Sequence, residues 1–122
     1  MALKRDTEAF LPLTPALFHV LVALADGDKH GYAILRDVGQ RTEGRVLLST
    51  GTLYGIVKRL LADGLIDETR RRPAASMDDQ RRRYYRLTAF GREVALAETA
   101  RLEQASAMAR ATRGLRLARG KA

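Results

Sequence analysis

No cysteine and no tryptophan occur among the 122 residues, histidine occurs twice and proline three times. Without cysteine the chain has no disulfide, no thiolate nucleophile and no sulfur ligand for a metal, a composition suited to a reducing cytoplasm. His19 and His30 have no partners at metal-ligand spacing, and no Gly-Lys-Ser/Thr follows Gly51 and Gly55 to make a phosphate-cradling loop. Catalysis, a bound metal and a cofactor are therefore not expected. No apolar run reaches the roughly 18 to 20 residues that span a bilayer, and residues 1–12 lack the apolar stretch of a secretory signal. The reading is a soluble cytoplasmic protein with a short flexible N-terminal arm over residues 1–12. Acidic residues are also few: 14 Asp and Glu face 22 Lys and Arg, a net charge of +8 that favours a polyanionic partner, nucleic acid first. The length supports one domain with one modest core.

What is present is organised around residues 49–61, closed by Ala62, Asp63 and Gly64. Steps of about 100° per residue bring Leu53, Ile56, Val57, Leu60 and Leu61 to one face of a helix and Gly51, Gly55 and Lys58 to the other, with Tyr54 and Arg59 on the flanks. Ser49 or Thr50 can cap the first turn and Gly64 can end the last. Two glycines on an outer helix face cost roughly 1 kcal/mol each relative to alanine, which is sensible where something must approach the backbone closely. Hydroxyls at Ser49, Thr50 and Thr52, the Tyr54 phenol and the cations Lys58 and Arg59 suit a helix that enters a DNA major groove.

The flanking segments support that reading. Thr14 and Pro15 start a helix in which Leu17, Val20, Leu21 and Leu24 recur at helical spacing, ending at Asp26, Gly27 and Asp28; His19 within it reads as a packed side chain. A second helix begins near His30, Gly31 and Tyr32, with an apolar stripe of Tyr32, Ile34, Leu35 and Val38 and a loose end from Gly39 to Gly44. Residues 45–48 form a brief strand or turn. From Leu65 and Ile66 an extended run leads through Arg70, Arg71 and Arg72, and a return strand runs from Arg81, Arg82 and Arg83 to Leu87, with Tyr85 and Leu87 on one face. The six arginines flank a turn-rich loop whose only acids are Asp78 and Asp79, so the hairpin can lie along phosphates.

Thr88 can cap a last helix through Phe90, Val94, Leu96, Leu102 and Met108 to near Arg113. About 25 helical residues span nearly 40 Å, more than a small winged domain covers, so Phe90, Val94, Ala97, Leu102, Ala105 and Met108 are expected to face a second subunit. Arg101 and Gln104 interrupt the stripe, which excludes a regular coiled coil. The fold class is mostly α with a small β-hairpin: a winged helix-turn-helix over residues 13–87, a C-terminal dimerisation helix over 88–113 and a basic tail over 114–122.

Three stretches together resemble the PadR family of bacterial transcriptional regulators: His30-Gly31-Tyr32-Ala33-Ile34; Gly51-Thr52-Leu53-Tyr54 with Lys58-Arg59-Leu60 and Gly64-Leu65-Ile66; and Arg83-Tyr84-Tyr85-Arg86-Leu87-Thr88 with Gly91. The resemblance implies a regulator, usually a repressor, that binds a palindromic operator as a homodimer. It also implies that Gly51, Thr52, Tyr54 and Lys58 face DNA from the recognition helix, Tyr32 from the helix before it, and the arginine-rich hairpin as a wing. Gly55 stands where many members have proline, and Leu61 where an acid is common. Members often release DNA on binding a small aromatic molecule near the dimer interface; this chain has only Phe90 as an aromatic beyond the hairpin. A basic RNA-associated winged domain, or one that docks a protein through its long helix, is the alternative that the same charge and helices allow.

Overall fold

The computed structural model describes residues 6–69 and 83–119. Four of its helices begin where a side chain accepts a backbone N–H that the helix leaves without a partner. Thr14 caps α1 (Pro15–Ala25) through Leu17 N–H at 3.1 Å, and His30 Nδ1 caps α2 (Gly31–Arg41) through Ala33 N–H at 3.2 Å. Ser49 caps α3 (Thr50–Ala62) through Thr52 N–H at 3.1 Å, and Thr88 caps α4 (Ala89–Ala111) through Gly91 N–H at 2.9 Å. Gly64, at φ 76°, ends α3 in the left-handed conformation. Gly39 is helical, and α2 ends instead at Thr42, Glu43 and Gly44.

The apolar faces of these helices close on one core. Leu17, Val20, Leu21, Ala23 and Leu24 of α1 meet Ile34 and Val38 of α2, Leu53, Val57 and Leu60 of α3, and Val94 of α4. Each large aliphatic side chain taken from water contributes about 1.5–3 kcal/mol. Tyr32 and Leu61 depart from the stripes expected for them: Tyr32 is 61% exposed and Leu61 is exposed as well, outside the core cluster. Tyr32 sits two residues, about 200°, from the buried Ile34, and so emerges on the opposite side of α2.

Residues 29–30, read in sequence as the lead-in to a helix, form a short strand, β1 (Lys29–His30). It pairs antiparallel with β3 (Tyr84–Leu87), which pairs on its other side with β2 (Ile66–Thr69), giving the order β1-β3-β2. Tyr84 and Tyr85 are both buried, rather than Tyr85 and Leu87 alone, because Tyr84 lies edge-on to His30 at 5.3 Å. The hairpin joins α4 tightly: the Thr88 hydroxyl donates to Gly64 O at 2.7 Å and Thr88 N–H to Leu65 O at 3.1 Å. Gly91 passes so close that a Cβ there would collide with the Leu65 carbonyl.

Two terminal segments differ from their sequence reading. Thr7–Phe10 forms a 3-10 helix capped by Asp6, and Phe10 meets Phe90 edge-on at 5.5 Å, so this part of the expected arm is packed. The tie is reinforced by Glu98, which is 2% exposed, accepts two hydrogen bonds from Arg101 at 2.7 and 2.8 Å, and takes a third from the Leu13 backbone. At the other end, the backbone turns extended at Thr112, whose carbonyl then accepts from Leu115 and Arg116 N–H, so that α5 (Arg113–Arg119) replaces the start of the expected tail.

Candidate nucleic-acid interface

α3 presents two faces of opposite character. Leu53, Val57 and Leu60 are buried, whereas Ser49, Thr50, Gly51, Thr52, Tyr54, Gly55, Lys58 and Arg59 are all exposed. A Cβ built on Gly51 or Gly55 meets nothing within 4 Å, so no packing within the protomer calls for glycine at either position. The outer face is a shallow strip of backbone, hydroxyls, one phenol and two cations. Ser49 Oγ and Thr52 Oγ1 are linked at 2.9 Å, which holds the hydroxyls at the helix entrance.

Tyr54 is half exposed, and its hydroxyl reaches the first turn of α2. A Cβ at Gly31 would stand 2.7 Å from that oxygen, so glycine admits the ring where any side chain would displace it. Tyr32 follows immediately on α2, its ring parallel to that of His30 at 6.5 Å and overlaid by the Arg36 guanidinium at 6.0 Å. α3 thus meets the start of α2 through Tyr54 and Gly31, the residue just before Tyr32. Arg36, absent from the sequence-level candidates, belongs to the same stripe: it is four residues from Tyr32, one helical turn away on the same side.

The structure redistributes the positive charge seen in the sequence. Arg59 is 3.9 Å from Asp63, Arg83 is 3.8 Å from Glu68 and Arg86 is 3.7 Å from Asp67. The last pair bridges β2 and β3 and the Arg83 pair lies just ahead of β3, so Arg83 shares its charge with the wing's own carboxylate. Arg41 contacts Asp37 at 2.7 Å and Asp26 at 2.6 Å, and the Asp37 bond foremost raises its pKa. Lys29 donates to Ala23 O at 2.6 Å and stands 3.9 Å from Asp37. Burial pushes the Tyr85 phenol above its ordinary value, keeping it neutral inside the sheet. Arg70, Arg71, Arg72, Arg81 and Arg82 lie outside the described residues.

The expected dimer residues divide. Val94 is fully buried in its own protomer and so is not available to a second subunit as expected, whereas Phe90 meets Phe10 and stays partly exposed, because the first turns of α4 cover α1 and the 3-10 helix. Ala97 is half buried, and Leu102, Ala105 and Met108 are exposed together with Leu96. Glu98 was also missed by the sequence reading. Its signal was a carboxylate four residues after Val94, on the buried side, with an arginine three residues further on.

No curated protein matches the chain. Among solved structures, it is similar to a transcriptional regulator from Clostridium thermocellum, with 25% identity, a TM-score of 0.62, and 75% of this chain and 86% of that one covered. It is similar also to a PadR family transcription regulator from Clostridium difficile, at 24% identity and a TM-score of 0.63, covering 75% and 91%. BpsR of Bordetella bronchiseptica, whose DNA binding is regulated by 6-hydroxynicotinic acid, shares the fold at 23% identity and a TM-score of 0.58, covering 94% and 76%. The family model for the transcriptional regulator PadR-like family matches residues 20–97, a span that runs from the middle of α1 through the wing strands into α4. The chain therefore belongs to the PadR-like family of transcriptional regulators, winged-helix DNA-binding proteins rather than enzymes.

Proposed function

We propose that the chain is a cytoplasmic repressor that binds a palindromic operator as a homodimer, with α3 of each protomer in one of two successive major grooves and the wings on phosphate. The observation that carries this reading is the outer face of α3, where two glycines face open space and are flanked by Thr52, Tyr54 and Lys58. A helix needs such a low profile when base edges and phosphates must come near its backbone. Half-sites about one helical turn apart, or a multiple of it, follow from a two-fold pair of such helices. Leu102, Ala105 and Met108, three residues apart and all exposed, supply an apolar strip on α4 for the second copy. Beside this strip Thr99, Leu102, Glu103, Ser106 and Arg110 line a groove of about 440 Å³, the place for a small-molecule effector of the kind that regulates BpsR.

The test is fluorescence anisotropy on DNA from upstream of the chain's own gene beside an unrelated duplex, at two salt concentrations, with the mass in solution measured by light scattering. A preference of roughly 1,000-fold or more that persists at the higher salt, from a particle of twice the chain mass, supports the reading. Equal affinities that collapse together as salt rises, or a monomer bound to DNA, contradict it.

A further inference from the structure

The proposed DNA-binding mode leaves open what holds α3 in register on the duplex. Lys58 on α3 itself has no carboxylate partner among the described residues, whereas Arg41, Arg59, Arg83 and Arg86 each have a carboxylate within 4 Å, and Lys29 is tied to Ala23 O and Asp37. Arg36 is different. It is exposed, and no carboxylate among the described residues lies within ion-pair distance of it. Its guanidinium lies over the exposed ring of Tyr32, 6.0 Å from the centroid. Stacking on an aromatic face limits the freedom of the long side chain and leaves the guanidinium edge with its N–H donors turned outward.

Tyr32 sets this pair in the first turns of α2, the end of the helix where Gly31 meets the Tyr54 hydroxyl of α3. Beyond Arg36 the surface opens into a shallow groove of about 220 Å³ lined by Lys29, Ala33, Arg36, Asp37 and Gln40. The one acid there, Asp37, is already covered by Arg41 and Lys29, so the local field is positive. We infer that Arg36, held by Tyr32, grips a backbone phosphate of the duplex at the edge of the groove that α3 enters. The inference rests on the proposed DNA-binding mode and adds to it a residue that positions the recognition helix without reading sequence. Arginine suits this role because its planar fork can bond two phosphate oxygens at once.

The experiment measures duplex affinity as a function of salt, by anisotropy on a labelled duplex of arbitrary sequence, for the full chain, Arg36→Ala and Arg36→Lys, with a thermal melt of each. One phosphate contact contributes about 0.9 to the slope of log K against log salt, so Arg36→Ala should lower that slope by about one per protomer bound. Between about 50 and 200 mM salt the full chain should then lose about 3.5-fold more affinity per protomer than the variant. Arg36→Lys should keep the slope, and all three melts should coincide. An Arg36→Ala slope equal to that of the unsubstituted chain overturns the phosphate contact while leaving the DNA-binding reading intact. A slope lost equally in Arg36→Lys overturns it too, because the charge is retained there and only the packing on Tyr32 has changed. Failure of the unsubstituted chain to bind any duplex overturns both.

Discussion

Replacing Gly55 separates what the fold requires from what the outer face of α3 requires. The position lies inside a 13-residue helix, where glycine is about 1 kcal/mol less favourable than alanine. A Cβ there meets nothing within 4 Å, so Gly55→Ala has no clash to offset that gain, and a longer side chain leaves the helix from open space. Gly55→Ala should stabilise the chain by about 1 kcal/mol, raising the melting temperature by about 4 °C for a domain of this size, and Gly55→Gln by somewhat less. Binding should move in the opposite direction. A glutamine projecting from the face that enters the groove should weaken binding to the preferred duplex at least 10-fold, or about 1.4 kcal/mol, with alanine in between. Thermal melts by circular dichroism and anisotropy titrations on the same preparations read both quantities. A residue that matters only for folding would move both in the same direction, so the opposed signs are diagnostic. If Gly55→Gln binds as the unsubstituted chain does, this face does not meet DNA; if Gly55→Ala melts lower, the space beside Gly55 is not open.

Three other outcomes follow from the packing and charges. Gly91→Ala should lower stability by roughly 1–3 kcal/mol despite alanine's better helix propensity, since the new methyl meets the Leu65 carbonyl and also lies 2.9 Å from Leu87 Cδ1; a raised melting temperature would refute the close approach. The Glu98 carboxyl is held below its usual range, first by hydrogen bonds from Arg101 and against the opposing effect of burial. Because the folded pKa is depressed, its contribution is present above the unfolded carboxylate pKa, near 4.3, and is lost as pH falls through the lower folded value. Urea titrations should therefore show Glu98→Gln about 1–3 kcal/mol less stable at neutral pH, with the gap closing below about pH 4; a gap that ignores pH would count against the ion pair. Lys58→Ala should cost about 1–3 kcal/mol in binding and leave the melt unchanged, and a loss of stability instead would give Lys58 a structural role.

The helix starts were legible in the sequence because capping is local. Thr14, Ser49 and Thr88 each bond an N–H three residues ahead, and nothing distant is needed to recognise the pattern. The two faces of α3 were legible for a similar reason, since helical periodicity sorts Leu53, Val57 and Leu60 from Gly51, Gly55 and Lys58 without reference to any neighbour. Strand β1 was not legible. Two residues carry no periodicity, and Lys29 and His30 become a strand only because Tyr84 and Tyr85, more than 50 positions later, pair with them.

The sequence by itself determined the helical framework, the basic balance, the lack of cysteine and the low outer profile of one helix, all of which depend on residue type and short-range spacing. Only the tertiary structure decided which charges and apolar groups are left to act on a partner. Arg83 and Arg86 face acids across a strand pair, whereas Arg36 lies over Tyr32, though in the sequence each is simply one more arginine. In the same way Val94 is consumed by the shared core while Leu102 and Met108 stay exposed along the same helix. The physical reason is that exposure and pairing are set by neighbours brought together across long separations in the chain, and Coulomb and hydrophobic energies act over distance in space, not along the sequence.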